Sequence, residues 1–346
     1  YGKQNNMSNK VLLTGISGWI AKHTAIELLN LGYEVLGTVR NESLIQQTKE
    51  TISKHAQIDN LSFVKLDLLE DDGWDEAAKG CKYIMHLASP FPFKVSNDRE
   101  KLLPEAVDGT LRVLNAGLKA NVEQFIVTSS IAAMFRKPNR SNPYSFNEND
   151  WTDENWKEGV KDYFLSKTKA EKAAWNFMES KGLKNKLTTI NPGGVFGDAL
   201  DKKGGTSIEY VRQFLKGKFP AAPKWGILIS DVKDVAKAHV ACVGNTKVGG
   251  RRLIVGKEIK KLIELSQIMA EAMPEYARKL PKKELPNFMV KLISFFDSSA
   301  KTLIPDLEIV MQTDTTYAED LLGLKFKPAK GCITDTAKSV VRLGLV

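Results

Sequence analysis

Cysteine and histidine are scarce in this chain of 346 residues. Its three cysteines, Cys81, Cys242 and Cys332, lie far apart and form no Cys-x-x-Cys pair. Such a sparse and odd number argues against a disulfide framework and fits a reducing compartment. The histidines also lack the spacing of metal ligands: His23, His55, His86 and His239. We therefore predict that the protein has no metal site.

Long apolar runs are absent as well. No run approaches the roughly 18 to 20 residues that a membrane-spanning helix needs. The first residues, Tyr1 to Asn6, are polar and have neither the basic nor the apolar region of a signal peptide. The sequence thus predicts a cytoplasmic protein without a membrane partner.

Positive charge is in moderate excess, with 50 Lys and Arg against 41 Asp and Glu and a net charge of +9. The lysines are scattered, and their densest group, Lys257, Lys260 and Lys261, has no aromatic residues interleaved with it. This pattern argues against a nucleic-acid partner. A modest basic bias also suits a pocket for a phosphate-rich cofactor.

Strand and helix patterns alternate through the first half of the chain. Short apolar strands are predicted at residues 11–14, 33–39, 61–66, 82–87 and 124–128. Helices are predicted from the second glycine of the first turn to Gly32, over about 98–120 and over 163–181, and a further strand at 187–190. This alternation predicts an α/β fold with a doubly wound parallel sheet of the Rossmann type.

The second half has a looser pattern, which indicates a smaller substrate-binding lobe interleaved with the sheet. We predict a dinucleotide-binding region at 8–192 that is rejoined by about 227–256. Residues 193–226 and 257–346 then form most of the C-terminal substrate lobe. The tail from Lys260 onward is predicted to be mostly helical, with breaks at Pro281, Pro286 and Pro305.

A glycine pair follows the first predicted strand, at the point where a helix should begin. Gly15 permits a tight turn, Gly18 lets the backbone approach a pyrophosphate, and Ala21 allows close packing of the helix on the strand. The helix N-terminus offers free N–H groups to phosphates. We expect the whole turn to contact a dinucleotide cofactor: Gly15, Ile16, Ser17, Gly18, Trp19 and Ile20.

Arg40 stands at the end of the second predicted strand, where an acidic residue would favour NAD. A guanidinium suits the 2′-phosphate of NADP instead, so we predict NADPH as the cofactor. Asp67, after the third strand, is placed to accept a hydrogen bond from the adenine amino group, or else to cap a helix.

Tyr163 and Lys167 are four residues apart at the start of a predicted helix and so share one face. A nearby ammonium, together with an oxidised nicotinamide, is expected to lower the pKa of the tyrosine, which then serves as general acid towards a carbonyl oxygen. A serine of the Ser129–Ser130 pair, at the end of the fifth strand, can hydrogen-bond the same oxygen.

Several motifs together resemble the extended short-chain dehydrogenases/reductases. They are Thr-Gly-Ile-Ser-Gly-Trp-Ile-Ala at 14–21, His-Leu-Ala-Ser-Pro at 86–90, Thr-Ser-Ser at 128–130, Tyr-x-x-Ser-Lys at 163–167, Asn-Pro-Gly-Gly-Val-Phe-Gly at 191–197 and the segment 231–239. The chain is most similar to the dihydroflavonol-4-reductase-like branch. Phe146-Asn-Glu, Trp151 and the segment 170–175 bring it nearer to microbial methylglyoxal/aldehyde reductases within that branch.

The resemblance implies that Ser130, rather than Ser129, is catalytic beside Tyr163 and Lys167. It also implies cofactor contacts from Pro192, Val195 and Ser207. The full set of expected contacts further includes Leu68, Ala88 and Thr128, with Tyr163 and Lys167 themselves. Yeast-type relatives have a lysine four residues after the strand-end arginine, where this chain has Leu44.

Three further residues near the predicted pocket have two possible interpretations each. His86 is expected to pack beside the cofactor rather than to take part in catalysis. Phe91 and Phe93 could line an apolar substrate pocket or belong to the core.

Three functions remain open at this stage. The first is NADPH-dependent reduction of a small carbonyl substrate by a monomer or homodimer. A sugar-nucleotide epimerase or dehydratase is the second. Against it, residues 131–133 supply no acidic side chain after Ser130 to eliminate water, and Arg212 is the only arginine between Asn191 and Lys224 that could bind a diphosphate. The third is a non-catalytic NADP sensor, which commonly lacks the Tyr/Lys pair found here.

Overall fold

A parallel sheet forms the centre of the protein. The computed structural model describes residues 9–90, 96 and 98–346, and within them this sheet has seven strands. The pocket candidates Phe91 and Phe93 and the amino-terminal segment 1–6 lie outside the described residues. The strands of the described residues are β1 Lys10–Thr14, β2 Glu34–Val39, β3 Leu61–Lys65, β4 Tyr83–His86, β5 Gln124–Thr128, β6 Tyr144–Ser145, β7 Leu187–Pro192, β8 Gly194–Phe196, β9 Ala222–Pro223, β10 Gly226–Asp231, β11 Arg251–Val255, β12 Glu258–Lys261, β13 Glu284–Leu285 and β14 Met311–Gln312.

The strand order of the main sheet is β3-β2-β1-β4-β5-β7-β11, and neighbouring strands are parallel throughout. Val11 and Leu13 pack into the core on one face, whereas Leu12 packs on the other. Burial on both faces explains why these strands are continuous apolar runs. The predicted doubly wound α/β fold is therefore confirmed.

Helices cover both faces of the sheet and build the second lobe. They are α1 Trp19–Asn30, α2 Ile45–Ser53, α3 Trp74–Ala78, α4 Gly109–Lys119, α5 Asp162–Ser180, α6 Thr206–Leu215, α7 Val232–Ala241, α8 Leu262–Ala272, α9 Asn287–Ile293, α10 Ser298–Leu303, α11 Thr316–Leu322 and α12 Ala329–Arg342. No helix in the described part of the chain combines the length and apolarity needed to cross a bilayer.

The helix predicted from about Asp98 begins later than expected. Turns precede Pro104, a short π-helical segment spans Pro104–Asp108, and regular α-helix starts at Gly109. Proline disfavours helical geometry in the residue before it and lacks an N–H group, so it is tolerated only near a helix start. The tail is mostly helical, as the sequence indicated.

A smaller sheet marks the second lobe. Its order is β8-β10-β12, with β8 parallel and β12 antiparallel to β10. The chain returns to the main sheet with α7 and β11, after β10 has paired in the smaller sheet. Apolar side chains of α6, α8 and α12 form a core beside this sheet. The exact division into two regions stays a prediction.

Three histidines are buried in the neutral form. His23 contacts the carbonyl oxygen of Asp198 at 3.0 Å, and His239 lies between the Val235 carbonyl oxygen at 2.7 Å and the Thr128 hydroxyl at 2.6 Å. Burial lowers the pKa of His23 and of His239 to about 4 and that of His86 to about 3. Folding therefore excludes protons that an unfolded imidazole would bind.

We expect the free energy of unfolding to decrease as the pH falls from about 6.5, the pKa of an unfolded histidine, towards 4. Above that pH range the buried histidines are neutral in both the folded and the unfolded protein, so they do not reduce the free energy of unfolding. His239→Gln replaces the imidazole with an amide that is not protonated in this pH range. The urea midpoint of this variant should therefore fall less between pH 7 and 4.5 than that of the parent protein. His55→Gln, at an exposed position, is the control. An identical pH dependence in the parent and in His239→Gln would contradict this expectation.

Candidate active site

A cavity of about 590 Å³ opens at the carboxyl ends of the central strands. Its lining includes Gly15 and Gly18 of the glycine turn together with Ser130, Tyr163 and Lys167. The carboxyl edge of a parallel sheet is where α/β folds bind ligands. The structure thus brings the predicted cofactor turn and the predicted catalytic residues to one cavity.

The glycine turn can adopt its shape only without a side chain at Gly15. Its φ is +69°, and a Cβ atom built there would lie 2.9 Å from the Cα atom of Ala88. Gly18 closes the turn, with its N–H donating to the Gly15 carbonyl oxygen at 2.9 Å, and helix α1 follows without a side-chain cap. This cradle and the uncapped helix start fit the pyrophosphate of a dinucleotide.

The members of the turn do not all face the cavity. Trp19 and Ile20 line it. Ile16 is fully buried in the core, and its N–H donates to the Thr38 carbonyl oxygen at 3.1 Å. The core and β2 already engage the side chain and the N–H group of Ile16, and its contact with a cofactor stays a prediction. Ser17 is half-buried and does not line the cavity.

A segment after β8 crosses the start of α1. The indole N–H of Trp19 donates to the Asp198 carbonyl oxygen at 3.0 Å, and a Cβ atom at Gly205 would lie 2.9 Å from the Trp19 ring. The buried ammonium of Lys22 pairs with Asp201 at 2.6 Å. These contacts bring Ser207 to the cavity wall, which Pro192 and Val195 also line.

Ser130, Tyr163 and Lys167 meet because α5 packs across the ends of β5 and β7. A hydrogen bond links the Tyr163 side chain to Ser130. The Ser130 hydroxyl oxygen also accepts from the Ala132 N–H at 3.1 Å. The Nζ atom of Lys167 lies 6.0 Å from the centre of the Tyr163 ring, one helical turn away.

Burial controls the protonation of this pair. It raises the pKa of Tyr163 to about 12, which the hydrogen bond from Ser130 offsets only in part. It also lowers the pKa of Lys167 to about 8, against the opposing effect of Glu171. The expected lowering of the tyrosine pKa is therefore wrong for the chain's own residues, because desolvation exceeds the effect of the hydrogen bond from Ser130. Tyr163 is held in the protonated form that can donate.

The two neighbouring serines have different partners. Ser129 donates from its hydroxyl to a Glu171 carboxylate oxygen at 2.5 Å, away from Tyr163. Ser130 contacts Tyr163. Glu171 also binds Arg252 at 2.6 Å. Glu171 and Arg252 were not among the residues predicted from the sequence, although the spacing of Glu171, four residues after Lys167, places it on the same helix face.

The residues expected near the adenosine end lie outside the cavity lining. Arg40 has 68% of its side chain exposed and forms an ion pair with Glu105 at 3.5 Å. The Asp67 carboxylate accepts from the Leu69 N–H at 3.0 Å, so it makes a local turn. Leu68 directs its side chain into the core. Their contacts with a cofactor stay predictions.

His86 lies outside the lining of the cavity, whereas Thr128 is part of that lining. The His86 ring nitrogens contact the hydroxyls of Thr14 at 2.9 Å and Thr110 at 3.1 Å. With both nitrogens engaged, His86 acts as a packing residue. Thr128 lines the cavity and bonds His239 at 2.6 Å, while Ala88 lies behind Gly15.

Much of the remaining lining of the cavity is apolar. It includes Phe135, Phe164, Tyr210, Phe214, Trp225 and Met269. A buried cation, Arg136, also lies on the wall, but it pairs with Asp306 at 2.5 Å and stacks on the Phe164 ring at 3.6 Å. Arg136 was not among the site residues predicted from the sequence, because its partner Asp306 lies 170 residues away.

We expect Gly15→Ala to destabilise the protein more than Gly32→Ala. Both glycines have positive φ, of +69° and +80°, but only Gly15 has a backbone atom within 3 Å of the new Cβ. The left-handed backbone alone costs roughly 1–2 kcal/mol for an alanine. Urea unfolding of both variants measures the additional loss at Gly15, and equal losses would contradict a close approach to Ala88.

Comparison with known proteins places the chain in a family. The family model described as NAD dependent epimerase/dehydratase family matches residues 11–256. The chain is 31% identical over 335 residues to cinnamoyl-CoA reductase 1 of Petunia hybrida, with 96% of this chain and 92% of that protein covered. It is 29% identical over 353 residues to the putative NADPH-dependent methylglyoxal reductase GRP2 of Candida albicans, covering 96% and 99%.

A solved structure agrees with these matches. Yeast methylglyoxal/isovaleraldehyde reductase Gre2, complexed with NADPH, superposes with a TM-score of 0.79 at 28% identity, covering 97% of this chain and 100% of that chain. The resemblance drawn from the motifs is thereby confirmed: the chain belongs to the NAD dependent epimerase/dehydratase family of enzymes, the extended short-chain dehydrogenases/reductases.

Proposed function

We propose that this chain is an NADPH-dependent carbonyl reductase that converts aldehydes or ketones to alcohols. The observation that carries the proposal is the convergence of Ser130, Tyr163 and Lys167 on the cavity that begins at the glycine turn. The names of the relatives support it, since they include NADPH-dependent and carbonyl-reducing enzymes.

Bound NADPH would supply a hydride to the carbonyl carbon. Tyr163 donates its hydroxyl proton to the carbonyl oxygen, so the C=O bond becomes a CH–OH group. Ser130 hydrogen-bonds the same oxygen and orients it. Lys167 would hold the nicotinamide ribose and would stabilise the tyrosinate that remains, which regains a proton from solvent.

The alternative of a sugar-nucleotide epimerase or dehydratase has less support. Such a substrate needs convergent cations for its diphosphate. Arg136 and Arg140 share the buried Asp306 carboxylate, at 2.5 Å and 2.7 Å, and Arg212 is bound to Glu209 at 2.7 Å and to the Leu345 carbonyl oxygen at 3.0 Å. The apolar lining instead suits small or aryl carbonyl compounds.

The deciding experiment assays two panels with one preparation. We expect NADPH consumption with small and aryl aldehydes or ketones, and no turnover of UDP- or dTDP-sugars. Conversion of a sugar nucleotide without net cofactor consumption would favour the epimerase. Tight NADPH binding without any turnover would favour the sensor.

Tyr163→Phe should lower kcat by roughly a hundredfold or more while the dissociation constant for NADPH stays nearly unchanged, because only the proton donor is lost. Tyr210→Phe is the matched control, since Tyr210 also lines the cavity but stacks on Phe219 away from Ser130. Steady-state kinetics and cofactor titration measure both effects. Retention of most activity in Tyr163→Phe would mean that another group is the acid.

Arg40→Asp should weaken NADPH binding by roughly tenfold to a hundredfold and erase or reverse the preference over NADH, since a charge-assisted contact contributes about 1.5–3 kcal/mol. Glu105→Gln should increase the preference, because it removes the carboxylate that competes for Arg40. Arg251→Asp, at the exposed start of β11, is the control for net charge. Equal affinity of the unmodified protein for NADPH and NADH would refute the role of Arg40.

A further inference from the structure

Helix α5 carries three ionisable side chains on one face. Tyr163, Lys167 and Glu171 follow one another at intervals of four residues. Lys167 is 8% exposed and Glu171 only 1%. Within the described residues no ion pair joins them; instead both line a second cavity of about 10 Å³, roughly the space of one water molecule. The carboxylate therefore acts on the ammonium across a small buried gap.

Glu171 is held in place by donors from four elements. Arg252 donates at 2.6 Å and 3.3 Å, and the remaining donors are Ser129 at 2.5 Å, Asn191 at 2.8 Å, Thr189 at 3.1 Å and Trp175 at 3.2 Å. Both carboxylate oxygens accept hydrogen bonds from these donors. Glu171 thus presents a fixed negative charge behind Lys167.

Arg252 is fixed as firmly as its partner. Its second guanidinium branch donates to the carbonyl oxygens of Glu148 at 2.9 Å and Asp150 at 2.6 Å, and the group stacks 3.7 Å from the centre of the Trp151 ring. Arg252 does not line the small cavity between Lys167 and Glu171. Its positive charge contacts the Glu171 carboxylate and therefore partly offsets the negative charge that acts on Lys167.

The other ionisable groups around Lys167 are neutral. Tyr163 on the same helix is protonated, since burial raises its pKa to about 12. His86, which faces Lys167 from β4, is uncharged because burial lowers its pKa to about 3. Among the described groups that face Lys167 across these elements, Glu171 is the anion, and Arg252 is the cation behind it.

We propose that Glu171 is a positioning residue that keeps Lys167 in its ammonium form, and that Arg252 tunes how strongly it does so. The proposal rests on the proposed function in one respect, the use of Lys167 as the cation that binds the nicotinamide ribose. Neither Glu171 nor Arg252 lines the main cavity, so both act through Lys167.

The test is the pH dependence of the dissociation constant for NADPH, followed by fluorescence between pH 6.5 and 10. In the parent protein, affinity should fall as the pH rises through about 8, where Lys167 loses its proton. Glu171→Gln should move this midpoint down by about one pH unit or more, and Arg252→Gln should move it up, since a neighbouring opposite charge favours the charged form. Lys167→Met should remove the transition.

The two variants break the same buried ion pair, and both should lower the unfolding midpoint. A merely structural role would therefore shift both pH profiles in one direction or shift neither. Glu179→Gln makes the same change of charge on α5 at an exposed position paired with Lys184, and it should leave the midpoint unchanged. Opposite shifts support the proposal, whereas parallel shifts or an unmoved Glu171→Gln profile overturn it.

Should Glu171→Gln alone fail to fold, the double variant Glu171→Gln with Arg252→Gln removes both buried charges. It is compared with Arg252→Gln, from which it differs only in the carboxylate, and the same downward shift is expected. NADPH binding can be followed even if no carbonyl compound is reduced. A failure of the proposed function is thus seen as absent turnover, and a failure of this proposal as an unchanged profile.

Discussion

The carboxylate of Glu171 holds α5 against the sheet, and the geometry of the candidate site depends on that attachment. Its hydrogen-bond partners come from the end of β5, from β7, from β11 and from α5 itself. Removing one member of a buried ion pair is costly because it leaves a charge without a partner in a medium of low dielectric constant. The helix that carries Tyr163 and Lys167 therefore has one position relative to the strand ends, and Ser130 falls opposite Tyr163 as a result.

The same attachment explains how two adjacent serines acquire separate roles. Strand residues alternate between faces, so Ser129 and Ser130 point in different directions at the end of β5. Ser129 is used to anchor the helix, and Ser130 is left to contact Tyr163. Burial around this cluster then decides its protonation: it keeps Tyr163 protonated and brings the pKa of Lys167 down to about 8, within reach of physiological pH.

A second constraint encloses the site from the other side. The segment after β8 is attached to α1 through Trp19, His23 and Lys22, and α12 secures it from the lobe, since Thr336 and Ser339 accept hydrogen bonds from the backbone at Gly197 and Ala199. The glycine turn is therefore covered by residues far along the chain. This cover joins the turn and the apolar lobe into one continuous cavity, with polar groups at Ser130 and Tyr163.

The sequence by itself determined the alternating fold, the glycine turn and the Tyr163/Lys167 pair, because local spacing and strand–helix order carry these features. It also predicted six of the seven strands of the main sheet to within a few residues, whereas β11 and the helix start near Pro104 needed the observed backbone. Only the tertiary structure decided which side chains meet across large separations, such as Glu171 with Arg252, 81 residues apart, and Arg136 with Asp306. It also decided the direction of the Tyr163 pKa, since desolvation depends on everything packed around the hydroxyl, and no local pattern in the sequence contains that information.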